Sequence, residues 1–140
     1  TTRPFAEKTI GKMGMDDRVA FIPGDYLIDT ISGSYDAVWM SHILHGESAE
    51  DCLRIIEKAF QSLNPGGVVV IHEFILDDTL DRPLFPVLFS LNMLLGTDGG
   101  RAYSQAQLAD MLETAGFVDV HRLDFTGPND SGLVRGVKPT

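Results

Sequence analysis

The sequence predicts an α/β fold: a doubly wound, mostly parallel sheet that ends in an antiparallel hairpin. Segments of strand length alternate with segments of helical periodicity, which is typical of a parallel sheet covered by helices. Residues 68–76 are apolar at nearly every position, as expected for a strand buried on both faces. The last two strand-like segments are separated only by a Gly- and Pro-containing turn at 127–132, which favours antiparallel pairing.

The first 47 residues contain one predicted helix and two predicted strands. Apolar residues recur at helical spacing in residues 3–13, and Gly14 follows as a helix stop signal. Residues 18–22 are a short β-type run that ends at a Pro-Gly-Asp turn. Residues 35–40 form a second run of the same kind. We therefore expect a helix followed by two strands.

The middle of the chain contains the clearest helix, at residues 48–63. Ser48 is a good N-cap, and Asp51 follows three residues later as in a capping box. Apolar residues then recur on one face of the helix. The Asn-Pro-Gly-Gly segment at 64–67 ends it, and the apolar strand at 68–76 begins there.

The last part of the chain contains two predicted helices and the hairpin. Residues 83–95 are mostly apolar, which favours a helix packed on an apolar surface. Residues 104–115 begin with a serine N-cap and end before Gly116, as a helix does. Residues 117–125 and 133–138 are the two strands of the hairpin.

Composition and charge exclude several function classes. The 140 residues, 1–140, have the length of one domain. The net charge is −9, from 20 acidic and 11 basic residues, and Lys and Arg form no run. This pattern argues against nucleic acid or an anionic membrane surface as a partner.

Cysteine content and hydropathy predict a soluble, cytoplasmic chain. Cys52 is the single cysteine, so neither an intrachain disulfide nor a cysteine-based metal site is possible. No spacing of His, Asp and Glu predicts another metal site. The longest apolar stretch, residues 84–95, is too short to span a bilayer, and no signal peptide opens the sequence.

Several short motifs occur in an order and spacing that match a known family. They are Pro23-Gly24-Asp25-Tyr26, His42-Ile-Leu-His45, Glu50-Asp-Cys52, Leu63-Asn-Pro-Gly-Gly67 and the following Val-Val-Val-Ile-His-Glu73. Leu91-Asn-Met-Leu94, Gly99-Gly100, Tyr103-Ser104 and Ala115-Gly-Phe117 continue the match over almost the whole chain. The sequence thus resembles the S-adenosylmethionine-dependent O-methyltransferases of small molecules. This group contains plant phenolic, hydroxyindole and bacterial polyketide methyltransferases.

The resemblance implies a class I, Rossmann-like fold whose seven-stranded sheet ends in the predicted hairpin. It implies S-adenosylmethionine as the cofactor and a homodimer for the intact protein, because the family carries a dimerising helical domain before the sheet. In the family, a first strand, a Gly-rich loop and an acidic residue then bind the methionine and ribose of the cofactor. No such loop precedes Arg18. The chain therefore resembles the C-terminal part of a methyltransferase, without the N-terminal strands of the full fold.

The resemblance assigns roles to five residues near predicted strand ends. His45 matches the general base, and histidine titrates near the pH at which such a base works; a loop histidine without a proton to move is the alternative. Glu73 matches the acid that orients this histidine, unless it is only a polar residue where the strand meets solvent. Asp25 matches the acceptor for the adenine amino group, with Tyr26 on the ring, and a plain turn is the alternative. Ser41 falls where relatives contact the cofactor.

Substrate contacts are expected from the apolar helix at 83–95. Phe89, Asn92 and Met93 match the family's substrate pocket, although an aromatic and Met stripe is also typical of a core. We expect Trp39 to be a core residue of its strand. His42 resembles no catalytic position and is expected to line the pocket or to be structural.

The chain departs from the family pattern at two places near the expected site. The common His-Asp-Trp reads His45-Gly46-Glu47, which removes an aromatic ring. Many members carry a second acid after the Gly-Gly pair, where this chain has Ala102. Holding the two reactants together lowers the activation barrier of methyl transfer even without the aromatic ring or the second acid. These departures are therefore compatible with methyl transfer.

The sequence therefore predicts an enzyme that transfers a methyl group from S-adenosylmethionine to a hydroxyl of a small aromatic or polyketide-like molecule. The alternative is a non-catalytic, truncated chain that cannot bind the cofactor alone, which the absent Gly-rich loop favours. A dinucleotide-dependent oxidoreductase would share the type of sheet. It would not explain the Asn-Pro-Gly-Gly turn together with the final hairpin.

Overall fold

Residues 2–140 are described in a computed structural model of the chain. Their helices are α1 (Arg3–Lys12), α2 (Ala49–Ser62), α3 (Leu84–Gly96) and α4 (Gln105–Thr114). Their strands are β1 (Tyr35–Ser41), β2 (Leu63–Phe74), β3 (Val118–Arg122) and β4 (Ser131–Val137). Short 3₁₀ turns lie at Leu44–Gly46 and Pro128–Asp130.

The four strands form one mixed sheet in the order β1-β2-β4-β3. β1 and β2 are parallel, with Ser41 opposite His72 near their carboxyl ends. β4 runs antiparallel to both β2 and β3. The predicted α/β class and the closing antiparallel hairpin are therefore confirmed.

The core lies between the sheet and helices α2 and α4. Residues of α2 at helical spacing are fully or almost fully buried, as are alternate residues of β2 from Gly67 onward, Ile75 directly after β2, and two leucines of α4. These two periodicities are those of a helix stripe and of one strand face. The buried residues are Cys52, Ile55, Ile56, Ala59, Val69, Ile71, Ile75, Leu108 and Leu112.

Both predicted serine caps begin their helices. Ser48 Oγ accepts the backbone N–H of Asp51 at 3.2 Å. Ser104 Oγ accepts the N–H of Gln107, whose side chain in turn accepts the N–H of Ser104, which completes a capping box. Side-chain caps of this kind satisfy backbone donors that have no partner within the helix.

The predicted strand at 18–22 is wrong. Arg18 lies in a turn, residues 19–22 are irregular, and this segment pairs with no strand among residues 2–140. Its apolar residues Val19 and Ile22 are exposed. A β-type run becomes a strand only where a partner satisfies its backbone groups, so the local pattern alone was insufficient.

Two further differences concern the edge of the sheet. Trp39 is 59% exposed rather than in the core, because β1 is one of the two edge strands of the sheet. β2 begins at Leu63, before the Asn-Pro-Gly-Gly segment, with Tyr35 opposite Leu63. The register then shifts across that segment, and Gly66 has the positive φ that glycine adopts without strain.

Candidate functional site

A group of polar side chains lies where β1 and β2 end. Because the two strands are parallel, their carboxyl ends lie at the same end of the sheet. After Ser41 the chain passes through His42, whose φ is +54°, into the 3₁₀ turn that carries His45. Glu73 follows His72 on β2. Open α/β sheets bind their ligands at the carboxyl ends of their strands.

His45 and Glu73 form a hydrogen-bonded pair at the centre of this group. The distance from His45 Nδ1 to Glu73 Oε2 is 2.8 Å. Glu73 is only 4% exposed, and its Oε1 accepts the backbone N–H of Leu44 at 3.0 Å. A carboxylate can only accept, so Nδ1 of His45 donates to it, and in a neutral imidazole Nε2 then has the free lone pair. A histidine held in this way can act as a general base.

His42 lies against the same carboxylate. Its Nδ1 is 3.6 Å from Glu73 Oε2, beyond hydrogen-bond distance, and this buried atom has no hydrogen-bond partner among residues 2–140. Its ring packs 4.5 Å, centroid to centroid, from the rings of both His72 and Phe74. Burial lowers the pKa of His42, while the charge of Glu73 opposes that shift.

Ser41, the predicted cofactor contact, is hydrogen-bonded within the protein. Its Oγ is 3.1 Å from Nδ1 of His72, whose Nε2 is 3.1 Å from Ser131 Oγ. His72 thus connects β1 to β4 across β2.

Two buried side chains hold the 3₁₀ turn that carries His45 by hydrogen bonds to backbone carbonyls. The Tyr103 hydroxyl donates to the Glu47 carbonyl at 2.7 Å. The Cys52 thiol is 3.1 Å from the Leu44 carbonyl and donates to it. Burial raises the pKa of Cys52 to about 11 and also raises the pKa of Tyr103, so both groups remain protonated donors.

The Gly99-Gly100 pair packs against the same turn. A Cβ at Gly100 would collide with the His45 carbonyl oxygen and would lie 2.9 Å from the Gly46 carbonyl carbon. Gly99 has a φ of +104°, a conformation that disfavours other residues. The Gly-Gly motif therefore lets this loop pack directly against the backbone at His45, where a side chain would not fit.

The loop that carries Asp25 and Tyr26 contacts Glu47, the residue directly after this turn. The Tyr26 hydroxyl donates to Glu47 Oε1 at 2.6 Å, and this bond raises the pKa of Tyr26 to about 12. Asp25 Oδ1 accepts the N–H of Leu27 at 2.9 Å, so the aspartate does form a turn. A cavity of about 210 Å³, lined in part by Gly24, Asp25 and Tyr26, lies beside the loop.

Helix α3 supplies an aromatic wall. The Phe89 ring meets the His45 ring edge to face, with 4.7 Å between centroids. Phe74 lies 4.7 Å from Phe89 by the same measure. Met93 is one turn beyond Phe89 and half-buried, whereas Asn92 is exposed. Of the three predicted substrate residues, Phe89 is thus in direct contact with His45.

Two contacts of the group were not predicted from the sequence, although His42 was expected to line the pocket or to be structural. His42 shares the Glu73 carboxylate with His45, and Glu47 holds Tyr26. The His-x-x-His spacing of His42 and His45 directly after a strand was the available signal for the first. Nothing in the sequence pairs Glu47 with Tyr26, which lies 21 positions away.

Comparison with known proteins gives the family. The model of the O-methyltransferase domain matches residues 5–118, and the chain belongs to this family. It is 35% identical over 134 residues, or 96% of its length, to a 3-hydroxy-5-methyl-1-naphthoate 3-O-methyltransferase of Streptomyces sahachiroi. It is 33% identical over 140 residues, 98% of the chain, to an L-tyrosine C(3)-methyltransferase of Streptomyces lavendulae, of which it covers 38%.

A solved structure described as PigF with SAH has the same fold. The TM-score is 0.87 at 29% identity, over 96% of this chain and 40% of that one. The chain likewise covers 39% of the naphthoate methyltransferase, so it spans about two fifths of the length of these relatives. No helix among residues 2–140 is long and apolar enough to cross a membrane.

Proposed function

We propose that this chain contributes the base and the acceptor pocket of an S-adenosylmethionine-dependent methyltransferase. The acceptor atom is a hydroxyl oxygen of a small aromatic or polyketide-like molecule. The observation that carries the proposal is the 2.8 Å contact between His45 Nδ1 and Glu73, beside the ring of Phe89. The family membership and the names of the relatives support methyl transfer.

His45 acts as the general base in this proposal. Glu73 accepts the hydrogen bond from Nδ1–H, so Nε2 has the lone pair that removes the hydroxyl proton as the oxygen attacks. Glu73 also stabilises the imidazolium that forms. S-adenosylmethionine, when bound, supplies the methyl group as an electrophile.

Asp25, Tyr26 and Ser41 are the proposed cofactor contacts. Asp25 is exposed, and only its Oδ1 accepts a hydrogen bond from within residues 2–140, which leaves Oδ2 for the adenine amino group. The Tyr26 ring is held beside it by Glu47. The Ser41 hydroxyl lies at the end of β1 and retains an acceptor lone pair. These residues and the adjacent cavity fit an adenosine group.

Phe89, Met93 and Asn92 are the proposed acceptor contacts. The Phe89 ring lies edge to face against His45, so an aromatic acceptor that packs on Phe89 would lie beside the imidazole. Met93 extends the apolar wall, and Asn92 offers a polar contact. The intact protein is proposed to be a homodimer, as its family resemblance implies, and to be cytoplasmic, as its cysteine content and hydropathy predict.

A second candidate is that the chain by itself is non-catalytic. Two observations favour it: the chain spans about two fifths of its relatives, and no strand forms in residues 2–34. In that case the pair of His45 and Glu73 is formed, but the cofactor is not held.

Calorimetric titration of S-adenosylhomocysteine distinguishes the two candidates. We expect the chain to bind it, Asp25→Ala to weaken binding at least about tenfold, and Asp110→Ala, at an exposed position of α4, to leave it unchanged. No heat of binding would support the non-catalytic candidate. Equal binding by Asp25→Ala would refute the adenine role of Asp25.

Transfer of a labelled methyl group to a hydroxynaphthoate tests the base. We expect His45→Gln to lower kcat by about 10²–10⁴-fold. His121→Gln is the matched control, because His121 is exposed on β3. A His45→Gln variant as fast as the unsubstituted chain would remove His45 from the mechanism.

A further inference from the structure

We propose that His42, His45 and Glu73 form a binding site for a divalent transition metal ion of the Zn²⁺ class, and that this ion competes with the base function of His45. The first half of the proposal rests on geometry alone. The second half rests on the proposed methyl-transfer function.

The three side chains already present their donor atoms to one another. One ligand atom from each lies within 4.8 Å of the other two. Glu73 Oε2 is 2.8 Å from His45 Nδ1 and 3.6 Å from His42 Nδ1. With bonds of about 2.0–2.2 Å, two ligand atoms of a tetrahedral ion lie about 3.3–3.6 Å apart. The pair of Glu73 and His42 already has this separation, and the pair of Glu73 and His45 must open by about 0.5 Å. A separation of 4.8 Å must close by about 1.2–1.5 Å, which requires rotation of the side chains.

The environment of His42 is the observation that points to a cation. Its buried Nδ1 has no hydrogen-bond partner among residues 2–140, yet it faces a carboxylate oxygen. If Nδ1 of His42 carries no proton, its lone pair faces a lone pair of Glu73 Oε2. If Nδ1 carries a proton, Oε2 at 3.6 Å is too far away to accept a hydrogen bond. A metal ion between Nδ1 and Oε2 satisfies both atoms.

The backbone supports the same interpretation. His42 has a φ of +54°, a left-handed conformation that is uncommon for residues other than glycine and costs free energy. This conformation turns the chain between β1 and the 3₁₀ turn, so that the two histidines share one carboxylate. His42 is also held between the rings of His72 and Phe74, which restricts its orientation.

The donor set selects the class of metal. Two imidazole nitrogens and one carboxylate oxygen suit Zn²⁺ and its neighbours, whereas Mg²⁺ and Ca²⁺ prefer oxygen ligands alone. Three protein ligands leave a fourth position for water. The Leu44 N–H holds the other oxygen of Glu73, which is the kind of outer contact that orients a metal ligand.

Metal binding and base function exclude each other at His45. Coordination uses the Nδ1 lone pair, so the imidazole proton leaves Nδ1 and Nε2 takes one from solvent. The ring stays neutral, but Nε2 then carries a proton and cannot accept another. An occupied site would therefore be inactive as a base.

Titration with Co²⁺, followed by its visible d–d absorption, tests the site in the untagged 140-residue chain. We expect one Co²⁺ per chain, with an absorption of tetrahedral intensity that Zn²⁺ abolishes by displacement. His42→Asn removes one ligand while asparagine tolerates positive φ, and we expect it to weaken binding at least about tenfold. His121→Asn is the control and should bind as the unsubstituted chain does.

The outcomes separate the two halves of the proposal. The site is refuted if a folded His42→Asn or His42→Gln variant binds Co²⁺ as tightly as the unsubstituted chain. It is also refuted if only His121→Asn abolishes Co²⁺ binding. Circular dichroism verifies the fold of each variant. If Co²⁺ binds through His42 but Zn²⁺ leaves methyl transfer unaffected, the competition is refuted and the site stands. If no methyl transfer occurs in any form, the proposed function fails while the metal titration still decides the site.

Discussion

Replacement of Glu73 by glutamine tests the central pair most directly. Glutamine has the shape of glutamate, but one of its two terminal groups is a donor. Its oxygen would continue to accept the Leu44 N–H, so its NH₂ would face Nδ1 of His45. Nδ1 would then have to accept, and the proton would move to Nε2. We expect Glu73→Gln to lower the methyl-transfer rate by about 10²–10⁴-fold with little loss of stability.

The magnitudes follow from the contacts of Glu73. Its carboxylate accepts the N–H of Leu44 at 3.0 Å and Nδ1–H of His45 at 2.8 Å. Hydrogen bonds to charged groups contribute about 1.5–3 kcal/mol each, and desolvation of the buried carboxylate offsets part of this. Alanine removes both and leaves the buried Leu44 N–H unpaired, so we expect Glu73→Ala to lower the free energy of unfolding by about 2–4 kcal/mol. Glutamine retains one acceptor, so its loss should be about 1 kcal/mol.

Two measurements check this prediction. Urea unfolding gives the two stability changes, with Glu113→Gln, at an exposed position of α4, as the control. Long-range ¹H–¹⁵N correlation spectra of the histidine rings report which nitrogen of His45 carries the proton. A Glu73→Gln variant whose His45 keeps its proton on Nδ1 would refute the reasoning, whatever its activity.

Three further changes probe the framework of the site. Ser104→Ala removes the capping box with Gln107 and should cost about 1 kcal/mol in urea unfolding. Gly100→Ala brings a Cβ into the backbone at His45 and should cost about 1–3 kcal/mol, with altered His45 ring resonances. Cys52, buried and with its pKa raised to about 11, is about 0.1% thiolate at pH 8, so iodoacetamide should label it slowly until urea unfolds the chain.

Local sequence patterns were sufficient for most of the fold. The helices at α2 and α4 begin at the predicted serine caps, because a cap and an apolar stripe depend only on residues close in the chain. The final hairpin was likewise predictable from a short turn. The strand at 18–22 was not, because strand formation needs a partner, and none of the described strands lies beside it.

The site was predictable only in part. His45 and Glu73 lie 28 positions apart, and their pairing came from family resemblance rather than from local pattern. The role of His42 depends on a left-handed φ that no side-chain pattern encodes. The exposure of Trp39 depends on which strand forms the edge of the sheet, and that is a property of the whole topology.

Apolar packing fixes the position of the polar pair. Glu73 lies on the same face of β2 as Val69 and Ile71, both of which are fully buried. Successive strand residues alternate between faces, so a slip of one position would expose those side chains and turn His72, rather than Glu73, toward the turn of His45. The register that buries the core is thus the register that brings the carboxylate 2.8 Å from the imidazole. A substitution that loosens this core should therefore disturb the pair without touching it.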